Sequence, residues 1–549
     1  MKKILRWWKK EAGISREGKR FWEKRYVTLA KSLLLALLPL LCCVVYCASQ
    51  GRGIGEVYLP SSVWNDELFY YKQVEGIVNY GYPQGYFGFN ESHALKLSFA
   101  AWSPVLVFPW IIWGFLFGWN LMSPVICNIF LMMLCCFLFV WLVRPSWKQL
   151  GILTFLFCLY TPFVRYMLSS MPEVICFAML IIFYALAVNY QRREKTYKLV
   201  LLFVLSGVMT LMRPYLLLFL LLPVFFWIRA GRNFKSVAGS LAVFGTVLGL
   251  YGVIKHYLGA EYFAPLFFTD WIDAYFEQGL WGGIRNTLDT LHYMGKDFLE
   301  HTRQGIREGL ASGAFFGGYL VCMAVLAVQS VRDWRRYRRM AGEKGQEDWR
   351  KALGRWLVIE AHLAFSFAAM LAALLLMYKL TEGSKHLLTF MAAAIFVIAL
   401  MDTGFYKKAM LVGGTFAYFY IHMAVDPYDY QVPFVQEERM AALEACREIL
   451  REELILDPEK VPGYENALIW VYSDSVGGEP GYTAWQLLYA LPEGFGISCC
   501  MPDFVSEEFD SLQGRYLCVI SGGSIEEKCI RAGYEKILEA EGSVFYRRY

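Results

Sequence analysis

The chain has 549 residues, 57% of them hydrophobic and only 18% charged, with a formal net charge of +5 and a mean hydropathy of +0.37. No soluble core can absorb that much apolar surface. The composition therefore excludes an ordinary soluble protein and predicts a polytopic α-helical membrane protein.

A transmembrane helix requires about 20 apolar residues, within a range of about 17–25. In chain order, such segments fall near 27–48, 122–143, 149–164, 173–190, 197–213, 214–229, 236–254, 311–330, 357–378, 386–402 and 408–424. Lys and Arg in the short loops orient them. Residues 1–26 are basic (Lys2, Lys3, Arg6, Lys9, Lys10 and others), as are 191–198 and 332–355, so these are placed in the cytoplasm. The first apolar run reads as a retained anchor, since no cleavage pattern follows it. Segment 99–118 is long enough to span, but a span there would reverse every later loop against the basic residues. With Pro104, Pro109 and four nearby tryptophans, it reads as a helix lying at the interface. The expectation is about eleven spans, with loops 49–121 and 255–310 and the tail 425–549 all extracytoplasmic, in a plasma-membrane protein.

The first external loop contains SSVWNDELFYYKQVEGIVNYGYPQGYFGFNESHALKLSFAAWSP, residues 61–104. Its adjacent carboxylates, Asp66 and Glu67, stand among Trp64, Phe69, Tyr70 and Tyr71. It reads as an irregular active-site loop in which either acid can point inward. Asn90-Glu91-Ser92 fits a glycosylation sequon, a triplet common by chance.

Further along, Arg165 and Glu173 flank the turn between the third and fourth spans. Arg213 closes the fifth span before Pro214. Lys379, Glu382, Lys385 and His386 lie between the ninth and tenth. Ionisable groups at the membrane edge are costly to place there. With the topology above, these join Asp66, Glu67, Glu75, Glu91 and His93 at one leaflet. Each has a bland alternative: a solvated loop pair for Asp66-Glu67, a helix N-terminal acid for Glu173, snorkelling anchors for Arg213 and Lys385, and satisfied hydrogen-bonders for His93 and His386. Together, cations suit a lipid phosphate and a carboxylate suits proton removal from an attacking hydroxyl or amine.

The tail 425–549 reads as a small α/β domain. A helix is expected over 437–454 and buried strands over 467–472 and 516–521. Ser524-x-x-Glu527 after Gly522-Gly523 reads as a capping box; a phosphate cradle at that glycine pair is the weaker reading. The 14 cysteines include Cys499, Cys500, Cys518 and Cys529 in the tail, where no disulfide pairing can be deduced.

Several segments, in this order, resemble the GT-C glycosyltransferases, specifically the protein O-mannosyltransferase and aminoarabinose-transferase branch. They are the Asp-Glu loop with its Gly-Tyr-rich continuation, AAWSPVLVF, TPFVRYMLSSMPE, LMRPYLLLFLLLP and SKHLLTFMAAAI, within about residues 20–425. The chain departs from that pattern with Trp102-Ser103-Pro104 for His-Pro-Pro, Arg213 for a Lys and Glu173 for an Asp. The resemblance implies a GT-C-like catalytic domain over 27–424, a polyprenyl-phosphate-linked sugar donor and inverting transfer. The acceptor would be a protein, a lipid or a cell-wall polysaccharide. It implies Asp66 as general base with Glu67 beside it, Glu173 orienting a substrate, and Arg213 and Lys385 on the donor phosphate with Arg165 and His386 nearby. Tyr70, Tyr71 and His93 would line the substrate loop. No cofactor and no nucleic acid are expected. Asp66, Glu67 and Glu173 are the set for a shared divalent cation, but the basic residues argue that Arg and Lys meet the phosphate charge instead. The alternative readings are a transporter or lipid flippase of envelope precursors, which calls for charges at mid-membrane, and a non-catalytic scaffold whose tail binds a partner.

Overall fold

The computed structural model describes residues 16–57, 65–81, 86–91, 103–231, 234–259, 268–308, 311–340, 347–378, 380–401, 412–415, 434–453, 466–492 and 495–548. His93, Lys379 and nearly all of the expected span 408–424 lie outside the described residues, as do the side chains of Glu382 and Lys385.

The first apolar run forms α1 (Arg16–Ala36) and α2 (Leu38–Ser49). The first loop then contains α3 (Asn65–Tyr80), β1 (Tyr86–Phe89) and α4 (Phe108–Phe117). The bundle continues with α5 (Ser123–Val143), α6 (Trp147–Leu159), α7 (Pro162–Met167), α8 (Glu173–Arg192), α9 (Thr196–Met212), α10 (Leu221–Gly231) and α11 (Phe234–Leu258). It closes with α12 (Asp270–Glu277), α13 (Gly279–Glu308), α14 (Ala311–Arg339), α15 (Glu347–Met377) and α16 (Leu380–Leu400).

Among the described residues, seven helical stretches are long and apolar enough to cross a membrane: Arg25–Ser49, Ser123–Val143, Glu173–Arg192, Pro214–Gly231, Phe234–Leu258, Phe315–Arg339 and Leu353–Met377. Trp147–Leu159, Thr196–Met212 and His386–Leu400 are shorter apolar helices at three further expected positions. The chain is a polytopic helical membrane protein. Helix α8 is its axis. It is apolar all round, almost wholly buried, and packed against α5, α9 and α16. Helix α4 continues a 3-10 turn over Pro104–Val107, and Pro104–Phe117 is a further shorter apolar helix.

Two segments depart from the sequence reading. Asp66 and Glu67 occupy the first turn of a regular helix, not an irregular loop. Residues 268–308, expected as loop, are almost entirely α12 and α13, and Phe268 N–H donates to Met377 O (3.0 Å) at the end of α15.

The tail contributes α17 (Glu437–Glu453), β2 (Ala467–Val471), the hairpin β3 (Ser473–Val476) and β4 (Glu479–Tyr482), and β5 (Gly496–Cys500). After these come α18 (Pro502–Glu507), β6 (Tyr516–Ile520), α19 (Ser524–Arg531), β7 (Glu535–Ala540) and β8 (Ser543–Arg547). Six strands form one sheet in the order β1-β5-β2-β6-β8-β7. Strands β1, β5, β2 and β6 run parallel, and β8 and β7 close the far edge antiparallel. β2, β5 and β6 are buried at every residue, as parallel strands covered on both faces are.

The edge strand β1 comes from the first loop, so the sheet is assembled from segments about 400 residues apart in sequence. The residues after it complete the joint. Asn90 N–H donates to Cys499 O (3.0 Å), Asn90 Oδ1 accepts from Met501 N–H (3.0 Å), and the Glu91 carboxylate accepts from Gln513 N–H and Gly514 N–H (2.8–3.1 Å). The Asn90 side chain is thus spent on the joint. A second tie runs from Val435 N–H to Glu56 O (2.7 Å). First loop and tail therefore lie on one side of the bundle.

The capping box at Ser524 is not formed. Gly523 is the N-cap, and Asp474 of β3 does the capping: Oδ2 accepts from Ile525 N–H (2.8 Å) and Oδ1 from the Ser524 hydroxyl (2.8 Å). A Cβ on Gly523 would lie 2.5 Å from Asp474 Oδ2, which is why glycine stands there. The carboxylate already fills the space a phosphate would need.

Candidate active site

Five segments meet at the end of the bundle that carries the sheet. Pro172 precedes α8 and puts Glu173 in its first turn, where the helix dipole favours an acid. Arg213 follows the last residue of α9, held extended before Pro214 (φ −147°, ψ 120°). His386 lies near the start of α16. Arg165 ends α7, and Glu67 opens α3. Helices α8 and α9 are consecutive and antiparallel, so the start of one and the end of the other share a side. The other end of α8 carries Arg192 in its last turn. Its 20 residues place that basic end about 30 Å from Glu173.

Arg213 is the hub, and it is fully buried. Its Nη2 pairs with Glu173 Oε1. Its Nη1 donates to His386 Nδ1 (2.9 Å) and to the Tyr215 hydroxyl oxygen (3.2 Å), and that hydroxyl lies 3.2 Å from the same Nδ1. A guanidinium does not give up its proton. Nδ1 must therefore accept, and the proton of the neutral ring sits on Nε2. These contacts remove the anchor reading of Arg213, since a snorkelling side chain keeps its head in water.

A second pair stands beside the first. Arg165 Nη1 lies 4.0 Å from Glu67 Oε1, at the outer limit of an ion pair. The same oxygen accepts from Ser170 N–H (3.3 Å), and the Ser170 hydroxyl donates to Glu67 O (2.9 Å). Asn128 Nδ2 holds the turn from behind, donating to Ser169 O (3.0 Å). Glu67 is thus locked, whereas Asp66, about 100° away around the helix, is only half-buried. Two guanidiniums balance two carboxylates here, so an incoming phosphate adds charge that needs another cation.

The other expected residues have different settings. Tyr70 is buried within electrostatic reach of Arg213. Tyr71 packs between Trp119 (centroids 5.5 Å apart) and Tyr489 of the tail (5.6 Å), a structural position. Glu75 faces away from the cluster and pairs with Lys72 (2.6 Å), which also donates to Leu491 O (2.6 Å) in the tail. Glu91 belongs to the sheet joint. His93 and the Lys385 side chain lie outside the described residues. Sequence reasoning missed Ser170, Tyr215 and Lys72; neutral hydroxyls carry no charge signal, and the acceptor of Lys72 in the tail is 419 residues away in sequence. Among the described residues, no three His, Cys, Asp or Glu side chains come together in a way that could hold a metal ion.

No protein-family model matches the chain, and no curated protein matches it. Two solved structures align over most of its length. One is ArnT from Cupriavidus metallidurans bound to undecaprenyl phosphate, at 10% identity over 93% of this chain and 97% of that one, with a TM-score of 0.40. The other is the Archaeoglobus fulgidus oligosaccharyltransferase in its apo form, at 12% identity over 91% of this chain and 70% of that one, with a TM-score of 0.45.

Proposed function

We propose that this chain is an integral-membrane glycosyltransferase of the GT-C kind that moves a sugar from a polyprenyl-phosphate donor to an extracytoplasmic acceptor with inversion. One observation carries the reading: Glu67–Arg165 and Glu173–Arg213–His386 are gathered, buried, at one end of an apolar bundle from separate parts of the chain. A transporter concentrates its polar groups at mid-membrane. Here the charges of this cluster stand toward one end of the bundle, beside the sheet domain, while Glu360 and His362 are buried within the helix Leu353–Met377.

In this reading the acceptor oxygen attacks the anomeric carbon of the sugar opposite the phosphate. The new glycosidic bond forms as the bond from carbon to phosphate oxygen breaks. The electron pair leaves with the polyprenyl phosphate, which gains one negative charge, and the acceptor proton goes to Asp66. Asp66 suits this role because it is half-buried, while Glu67 is locked by Ser170 and Arg165. Arg213 and Lys385 meet the phosphate, with Arg165 and His386 nearby, and Lys385 supplies the cation that the balanced cluster lacks. Glu173 holds the Arg213 fork in place and orients the substrates through it. The test is sugar transfer from undecaprenyl-phosphate hexoses to membrane extract by the purified chain. Transfer by wild type and its loss in Asp66→Asn support the reading; undiminished transfer by Asp66→Asn removes the base.

A further inference from the structure

On α3 one polar side chain stands apart from its neighbours. Gln73 is 1% exposed, and among the described residues neither its Nε2 nor its Oε1 has a hydrogen-bond partner. The other buried polar groups of the helix are engaged: Glu67 with Ser170, Lys72 with Glu75 and Leu491 O. Buried amides are nearly always satisfied, so one orphaned at both ends marks a place where something else binds.

The position of Gln73 says what that is. Asp66, Tyr70 and Gln73 fall at i, i+4 and i+7, on one face of α3. Lys72 and Glu75 lie on the opposite side, with Lys72 bonded to the tail. Tyr70 lies within electrostatic reach of Arg213, and α3 shares a packed apolar cluster with Cys176 and Met212, close to Glu173 and next to Arg213 in sequence. The Gln73 amide is therefore on the face that holds the proposed base, one turn past Tyr70. In Glu173 of the same cluster, Oε2 also lacks a partner among the described residues. A phosphate offers acceptors only. An amide offers one neutral donor group and one acceptor, which matches a hydroxyl that both gives and takes a hydrogen bond. Between a phosphate held by Arg213 and an acceptor held by Asp66, the hydroxyl-bearing group is the sugar in transit.

We infer that Gln73 is a sugar-recognition residue, its amide reading hydroxyls of the sugar carried by the donor lipid. The inference rests on the polyprenyl-phosphate reading above and deepens it. The test uses the full chain in lipid nanodiscs, as wild type, Gln73→Leu and Gln73→Met. Affinity is measured for bare undecaprenyl phosphate and for undecaprenyl-phosphate-linked mannose, glucose and 4-aminoarabinose. Wild type binds at least one sugar-bearing lipid more tightly than the bare lipid. Both variants lose about tenfold for that lipid, the scale of one or two hydrogen bonds, and stay within about twofold of wild type for the bare lipid. Equal losses on both lipids, no loss on either, or no sugar preference in wild type overturns the inference while leaving the phosphate reading intact. Failure of wild type to bind bare undecaprenyl phosphate overturns the phosphate reading itself. Thermal unfolding gives an independent arm. Removing an orphaned amide leaves the melting temperature of Gln73→Leu at or above wild type; a clear drop shows that the amide is already paired and overturns the inference by itself.

Discussion

Helix α3 and its surroundings contain two buried ion pairs that look alike by burial and differ in everything else. Lys72 and Glu75 are 6% and 3% exposed, lie one turn apart on a single helix, and complete themselves with Leu491 O of the tail. Glu173 and Arg213 are both fully buried, come from the ends of two helices, and extend the pair through His386 and Tyr215. The first is a closed tie between the first loop and the sheet domain. The second is a network at a helix-end junction, with Glu67–Arg165 alongside. Burial of charge is thus no mark of function by itself. What separates the two is whether one helix supplies both charges or separate elements are brought together to hold them.

The largest effect tests the acid on the open side of that junction. Asp66→Asn keeps the shape and hydrogen-bonding capacity but cannot take a proton, so transfer falls by about 10²–10⁴-fold, the usual contribution of a positioned acid or base. Glu67→Gln falls less, because Glu67 is occupied with Ser170 and Arg165. A reversed order in a sugar-transfer assay would move the base to Glu67.

The two ion pairs can then be set against each other. Arg213→Ala leaves Glu173 buried and unpaired, at a cost of about 3–5 kcal/mol in folding stability, so the single variant cannot separate unfolding from lost chemistry. Replacing both partners with apolar residues, Glu173→Leu with Arg213→Met, relieves the unpaired charge and restores thermal stability; transfer stays lost. Lys72→Met with Glu75→Leu also stays folded, and its transfer remains within about tenfold of wild type. Equal activity in the two double variants would abolish the distinction drawn between the pairs.

How far the sequence carried these conclusions depends on the range of the interactions. Glu173, Arg213 and His386 were legible because charge beside an apolar run is conspicuous, and Pro172 and Pro214 mark the helix ends. The strands over 467–471 and 516–520 were legible from short apolar runs. Helix α3 was not, because its Tyr-rich sequence has no clean apolar stripe and its buried face is settled by the tail. Strand β1 has four residues, YFGF, and its partner lies about 400 positions away. The capping box failed for the same reason: Ser524 had the right neighbours in sequence, but Asp474 arrives from a hairpin 50 residues earlier and takes the site.

The sheet domain gives a smaller test of its own kind of site, closed upon itself. Asp474→Ala removes the acceptor for Ile525 N–H and the Ser524 hydroxyl at the start of α19. Losing a helix cap costs about 0.5–2 kcal/mol. Gly523→Ala reaches the same contact from the other side, because its Cβ would meet Asp474 Oδ2. Both variants lower the melting temperature. In the double variant the losses are less than additive, since they act on one contact. Strict additivity in thermal melts would show that Gly523 is there for another reason.

The smallest expected effect concerns the tail thiols, where closure is complete. Cys500 and Cys529 are buried and free, and burial pushes both thiols up from 9.0 to about 12. The thiolate is the reactive form, so at pH 8 these residues stay protonated and unreactive in the folded chain. A maleimide therefore labels Cys499, Cys500, Cys518 and Cys529 only after unfolding, and does so without a reductant because none of them is in a disulfide. The same shift fixes a sign. In the unfolded chain the thiols lose protons near pH 9, while the folded chain holds them until about 12. Above about pH 9 the unfolded state thus binds fewer protons, and stability falls as pH rises. Between pH 6 and 8 neither state ionises these thiols, and they contribute no slope. Labelling of Cys500 in the native protein at pH 8 would place that strand at an open edge and undo the joint between β1 and β5 on which the pairing of first loop and tail depends.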